Sequence, residues 1–118
     1  MRRLRAVRGA IRVGSDGRDA VLDATERLLR AVLERNTLAP SDLVSVVFTA
    51  TPDLRAAFPA EAARRMGLGS VPLLCAQEID VPGAMTGVVR LLAHAETDAE
   101  ALVPIYLDGA EALRDDLA

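Results

Sequence analysis

The segment between Ser15-Asp16-Gly17 and Asn36 constrains this chain more than any other. Val21, Leu22, Leu28, Leu29, Val32 and Leu33 recur at spacings of four and seven, which stacks them on one stripe of a helix. Glu26, Arg30 and Glu34 follow one another at intervals of four on the other side, where they can pair. Ser15-Asp16-Gly17 reads as a turn and N-cap, and Asn36 as the helix end. A helix with one apolar stripe must lie on an apolar surface, and the rest of the chain supplies strands to make one.

Residues 2–13 read as a strand interrupted at Gly9, with Leu4, Ala6, Arg8 and Ala10 on one parity. Pro40-Ser41-Asp42 opens the next element, with a short helical turn. Leu43 to Thr51 is β-branched and apolar, a buried strand that Pro52-Asp53 breaks. Residues 59–67 predict a short helix, with Pro59 in its first turn and Gly67 at its end. Val71 to Cys75 is a further short strand, and Val81-Pro82-Gly83 a break. Residues 87–95 fit strand or helix equally. Val103 to Leu107 is a strand that Pro104 marks as an edge, and Ala110 to Ala118 continues as strand or turn. The order β-α-β-α-β-β-β gives an α+β (mixed α/β) fold: a mixed sheet with one long and one short helix on one face. Two such helices leave the second sheet face uncovered, so self-association is expected to bury it.

At 118 residues the chain is read as one domain spanning 1–118. It has no apolar run long enough to cross a membrane as a helix, and no secretory leader is read at its start. Net charge is −3, pI is near 5.1 and only 3% of residues are aromatic, a poor basis for binding nucleic acid. All 14 basic residues are arginine, so every cation is a planar fork suited to carboxylates. One cysteine and one histidine exclude an internal disulfide and leave Cys- or His-built metal sites improbable.

Several positions stand out against this background. Arg90 sits inside Val88-Val89-Arg90-Leu91-Leu92-Ala93, where a buried guanidinium needs an anion. A salt bridge to Glu or Asp is the plainer explanation. Arg8 poses the same question on the first strand, the plainer explanation being a sheet-edge arginine with its head in water. Glu78 could simply pair with Arg90. Cys75 reads equally as a small core residue, and Tyr106 as a buried phenol bonded to the backbone. His94 is left to the surface or an interface, and Met66 and Met85 to packing. Together these residues describe a pocket with several cations, one carboxylate, one thiol and one phenol, but no nucleophile–base pair. Such a pocket suits a small dianion rather than acyl or phosphoryl transfer.

The same stretches resemble a known family. Val7-Arg8-Gly9-Ala10, Ala50-Thr51-Pro52-Asp53-Leu54, Phe58-Pro59-Ala60, Val71-Pro72 through Cys75, Gln77-Glu78 with Asp80-Val81, Arg90, Val103 to Leu107 and Leu113-Arg114 are similar, in order and nearly constant spacing, to the monofunctional chorismate mutases of the AroH type. The resemblance implies a cytoplasmic homotrimer forming a pseudo-α/β barrel, with active sites at subunit interfaces and no cofactor. It implies conversion of chorismate to prephenate, a unimolecular Claisen rearrangement on the route to phenylalanine and tyrosine. By the same resemblance Arg90 would meet the ether oxygen and the side-chain carboxylate, which Arg8 and Tyr106 would also hold. Glu78 and Cys75 would bond the ring hydroxyl, and Phe58 and Leu113 would form apolar walls. Arg64 and Arg114 would lie at the mouth, while Leu74, Ala76 and Gln77 would line the pocket partly through backbone.

Three features depart from that pattern. Glu61 stands where a basic residue is common, removing a cation from the entrance. Leu74 replaces a small hydroxylated residue, so contact there must be backbone or apolar. The tail to Ala118 is shorter than the family leads one to expect, which bears on lid closure. Two alternatives are weighed beside the resemblance. One is an enamine/imine deaminase of similar trimeric architecture, whose characteristic motifs are missing. The other is a non-catalytic trimeric module that binds the dianion without converting it.

Overall fold

In a computed structural model that describes the backbone of residues 1–117 and the side chains of residues 1–113, the apolar stripe is helix α1 (Arg18–Arg35). It buries Val21, Leu22, Leu28, Leu29, Val32 and Leu33, together with Ala24 and Thr25. Each large aliphatic side chain so buried contributes roughly 1.5–3 kcal/mol. The helix lies on a five-stranded sheet ordered β3-β2-β4-β1-β5, with β1 (Arg3–Arg12), β2 (Leu43–Ala50), β3 (Leu73–Gln77), β4 (Val88–Thr97) and β5 (Ile105–Leu107). The β1–β4 and β2–β4 pairs are antiparallel, and β1–β5 and β2–β3 are parallel. Helix α2 (Pro59–Arg65) packs beside α1 over β2 and β3, so both helices share one face and one core. The α+β class and the order of elements are those expected. Short 3₁₀ turns fill Pro40–Asp42 and Ala110–Leu117. No described helix is long and apolar enough to cross a membrane.

Four local expectations are corrected. Gly9 does not interrupt β1. A Cβ there would meet Leu28 Cδ1 at 3.1 Å and Val32 Cγ2 at 3.3 Å, so the glycine lets α1 approach the strand closely. The N-cap is Gly17, with no side-chain cap bond. Asp16 instead accepts the N–H groups of Arg55 and Ala56 at 2.8 and 2.9 Å, tying the start of α1 to the loop before α2. The third strand begins at Leu73 rather than Val71 and runs to Gln77, because its ladder to β2 starts at Val46↔Leu73. The fifth begins at Ile105, after Pro104, and is an edge strand. The segment 87–95 resolves as strand from Val88 onward. Asn36 does end α1, and its side-chain amide also exchanges bonds with the backbone of Val103, which fixes the approach to β5.

The start of β4 is clasped by Thr51 and Asp53. The Thr51 hydroxyl accepts Val88 N–H at 3.0 Å, and Asp53 Oδ1 accepts Gly87 N–H at 3.2 Å. Burial pushes the Asp53 carboxyl up, but bonds from the Thr51 hydroxyl and backbone N–H groups hold it below the ordinary aspartate range. Gly87 has φ +68°, and a Cβ on it would meet the Val13 carbonyl oxygen at 3.1 Å. Gly87→Ala is therefore expected to cost about 1–3 kcal/mol in unfolding free energy, read as a lowered denaturation midpoint at fixed protein concentration.

Candidate active site

Alternation along the strands decides which side chains reach the uncovered face. On β4, Val89, Leu91, Ala93 and Ala95 point to the helices, while Arg90 and Leu92 point away. On β1, Val7, Gly9 and Ile11 point to the helices and Leu4, Ala6, Arg8 and Ala10 away. The expectation of a buried Arg90 is corrected: its side chain is 46% exposed in this chain, because the face it occupies has no helix over it.

Register then assembles a row. Thr49 of β2 stands opposite Arg90, Arg90 opposite Ala10, and Ala10 opposite Tyr106 of β5, so one line crosses four strands on the open face. Arg8 lies one pleat from Ala10. Arg8, Arg90, Tyr106 and Leu113 line one small cleft of about 100 Å³. Leu113 reaches it from the 3₁₀ turn, packing against Ala10, Val88 and Ala110. The parity of β3 carries Glu78 to the same face, where its N–H extends the ladder to Ala50. Its Oε1 accepts the Thr49 hydroxyl at 2.5 Å and lies 3.6 Å from Arg90 Nε.

The plain ion pair therefore exists, but it sits on the cleft rather than away from it. At 3.6 Å it is a charge contact beyond hydrogen-bond length, and Arg90 donates no hydrogen bond among the described residues. The Arg8 side chain has neither an ion pair nor a hydrogen bond among them; it is exposed, one residue before the pairing of β1 with β5 begins at Gly9↔Ile105. Two guanidiniums facing one cleft, one of them uncompensated, form a site for an anion.

The other expected site residues lie elsewhere. Phe58, Cys75, Ala76 and Gln77 line a cavity of about 390 Å³ beside the β3 edge, with Pro59, Arg18 and Arg55. Phe58 is 72% exposed at its rim. Cys75 pairs with Phe48 on the helix side of the sheet, and its sulfur accepts Ala60 N–H at 3.3 Å. Cys75 and Glu78 thus occupy different faces of one chain and do not meet within it. Leu74 is exposed on the open face, and Arg64 is exposed on α2, lining neither cavity. The side chain of Arg114 lies outside the described residues. Glu61, on α2, pairs with Arg18 at 2.5 Å. His94 sits half-buried on the open face beside Ser45 Oγ, at 3.2 Å. No group of His, Cys, Asp and Glu among the described residues could hold a metal ion.

Sequence reasoning missed Thr49, which holds Glu78. The signal was present, because Ser45, Val47 and Thr49 alternate with Val46 and Phe48, but it needs the pairing to Arg90 to acquire meaning. It also missed Arg18 and Arg55, because nothing local distinguishes them from solvated arginines.

Comparison with known proteins identifies the family. The family model of chorismate mutase type I matches residues 4–117. Chorismate mutase AroH of Thermus thermophilus is 44% identical over 117 residues, covering 97% of this chain and 96% of that protein. Chorismate mutase AroH of Bacillus subtilis (strain 168) is 37% identical over 118 residues, covering 98% and 93%. A solved chorismate mutase structure from Clostridium thermocellum superposes with a TM-score of 0.89 at 42% identity, over 91% of this chain and 97% of that one. Neither the deaminase nor the passive binding module is favoured by these matches. With its fold and its near full-length similarity in agreement, this chain belongs to the chorismate mutase type I family of isomerases.

Proposed function

We propose that this protein converts chorismate to prephenate in the cytoplasm, in a homotrimer whose active sites lie between subunits. The observation that carries the reading is the cleft of Arg8, Arg90 and Tyr106, with Glu78 held against Arg90 by Thr49. Chorismate has two carboxylates, an enol ether and a ring hydroxyl. Its rearrangement breaks the ether C–O bond and forms a C–C bond in one cyclic electron shift, with no proton removed and no covalent partner. The protein has to hold the compact conformer and stabilise the charge that separates as the bond breaks. Arg90 carries the ether oxygen and, with Arg8 and Tyr106, the side-chain carboxylate. Glu78 opposes the positive character developing on the ring. No general base is required, which suits a site without a nucleophile–base pair.

Two observations support shared sites. The cleft in one chain, about 100 Å³, is well short of the roughly 300 Å³ at the lower end of ligand pockets. The wall of Phe58, Cys75, Ala76 and Gln77 lies at the β3 edge, while the cations of β1 and β4 and the phenol of β5 lie toward the other edge. A neighbouring copy that brings its β3 edge to this cleft would complete the pocket. It would also cover Leu74, Leu4 and Leu92, which are 62%, 58% and 39% exposed. Arg64 and Arg114 are assigned to the mouth of the assembled pocket.

The test is incubation of the purified protein with chorismate, following loss of its absorbance and formation of prephenate, together with a native mass. Turnover by a trimer is expected. Thermal stabilisation by prephenate without turnover would overturn the enzymatic reading, and turnover by a monomer would overturn the shared site. Cys75→Ser is expected to keep activity within about tenfold of the parent, since the thiol serves as a hydrogen-bonding group and no thiolate nucleophile is used. Abolished activity in a folded Cys75→Ser trimer would contradict that role.

A further inference from the structure

Two cations on the cavity beside β3 have no part in the chemistry above. Arg18 and Arg55 line it together with Phe58 and Cys75. Arg55 has no ion pair among the described residues. Arg18 is the first residue of α1, where a cation opposes the helix dipole, so helix stability does not explain its presence. It is held instead by Glu61 on α2, with Arg18 Nη2 2.5 Å from Glu61 Oε2. That oxygen is buried and, among the described residues, meets no donor at hydrogen-bonding geometry, so the Arg18 charge is what offsets its desolvation. The Arg18 side chain nonetheless remains more than half exposed, at 59%.

We infer that Arg18 and Arg55 form a capture site for the substrate's carboxylates at the mouth of the shared pocket. Glu61 orients Arg18 and partly cancels its charge. The inference rests on the chorismate reading and deepens it. Beside these two cations stand Glu61, paired with Arg18, and Asp16, engaged by the N–H groups of Arg55 and Ala56, so it is the Arg55 guanidinium, with no ion pair among the described residues, that draws in an approaching dianion and raises encounter and binding without altering the transition state. Capture needs charge rather than fork geometry, so Arg18→Lys is a conservative change here although Arg90→Lys is not.

The experiment measures kcat and KM for chorismate at low and high ionic strength. Its subjects are the parent trimer, Arg18→Gln, Arg55→Gln, the double variant, Arg18→Lys, Glu61→Gln and a control, Arg35→Gln. Arg35 lies at the opposite end of α1, roughly 25 Å away at 1.5 Å per residue. Each Gln variant at the mouth is expected to lose about fivefold in kcat/KM, mostly through KM, and the double variant is expected to lose most of the salt dependence. Arg18→Lys should retain more than half of the parent kcat/KM. Glu61→Gln should move the other way, raising kcat/KM at low salt about twofold, because it removes the anion from the mouth. The inference is overturned if Glu61→Gln lowers kcat/KM in step with Arg18→Gln, as a structural pair would, or if kcat falls by the full factor. It is also overturned if Arg35→Gln loses as much as the mouth variants. A parent trimer that does not consume chorismate would instead overturn the functional reading itself, a result the parent measurement shows before any variant is compared.

Discussion

Replacing Arg90 with alanine is expected to lower kcat for the rearrangement by about 10²–10³-fold, or roughly 3–4 kcal/mol in the barrier, by analogy with losing one preorganised oxyanion donor. In the proposed reading Arg90 stands where electron density accumulates: the ether oxygen goes from a neutral bonded atom to one carrying partial negative charge, and a guanidinium held against it offsets that charge as it appears. The substitution should leave the fold intact, because Arg90 points from β4 into the uncovered face while its neighbours Val89 and Leu91 stay buried. Glu78 keeps its bond from Thr49. Arg90→Lys should also be severe, since one ammonium cannot serve the ether oxygen and the carboxylate in the same plane. Chorismate consumption under single-turnover conditions, with the native mass checked, separates lost chemistry from lost assembly. An Arg90→Ala trimer working at the parent rate would show that these roles are wrongly assigned.

The elements were more legible in the sequence than their facing. Helix α1 carries one unambiguous period and strand β2 a β-branched apolar run closed by Pro52-Asp53, so composition and spacing locate them. Residues 87–95 resisted because Val88, Val89, Leu91 and Leu92 are apolar on both parities. The structure gives the reason. This strand is central, and its second face is apolar at Val88, where Ala10, Leu113 and Ala110 pack, and at Leu92, which is left to be covered. Arg90 could be noticed as a cation among apolar residues, but whether it was buried depended on which face carried the helices. The separation of Cys75 from Glu78 is a parity effect: three residues apart on an extended chain, they must point to opposite faces. Only the pairing Phe48↔Cys75 says which of them faces the core. Ser15-Asp16-Gly17 reads locally as a turn and cap, which Gly17 provides through backbone alone, while the Asp16 carboxylate bonds a loop 39 residues away. Such long-range partners leave no local trace.

Phe48→Ala is expected to produce the largest loss of stability, about 3–5 kcal/mol. Phe48 is fully buried on β2 and is among the largest side chains wholly removed from solvent. It stands between Cys75 on β3 and Leu91 on β4 and faces the layer formed by α1 and α2. Removing its ring forfeits the transfer free energy of the phenyl group and leaves a void that a sheet paired on both sides cannot close. Phe48→Leu keeps most of the volume and should cost only about 1 kcal/mol. The comparison is made by denaturation at one fixed protein concentration, because assembly also contributes to apparent stability. The consequence reaches the site through the backbone. Thr49, next in the chain, holds Glu78, and Leu91 precedes Leu92 and follows Arg90 on the strand opposite. Loss of activity in Phe48→Ala should therefore track the unfolded fraction, with folded protein at low temperature retaining turnover. If Phe48→Ala unfolded no earlier than Phe48→Leu, the core between the two helices and this sheet face would not be what holds the fold together.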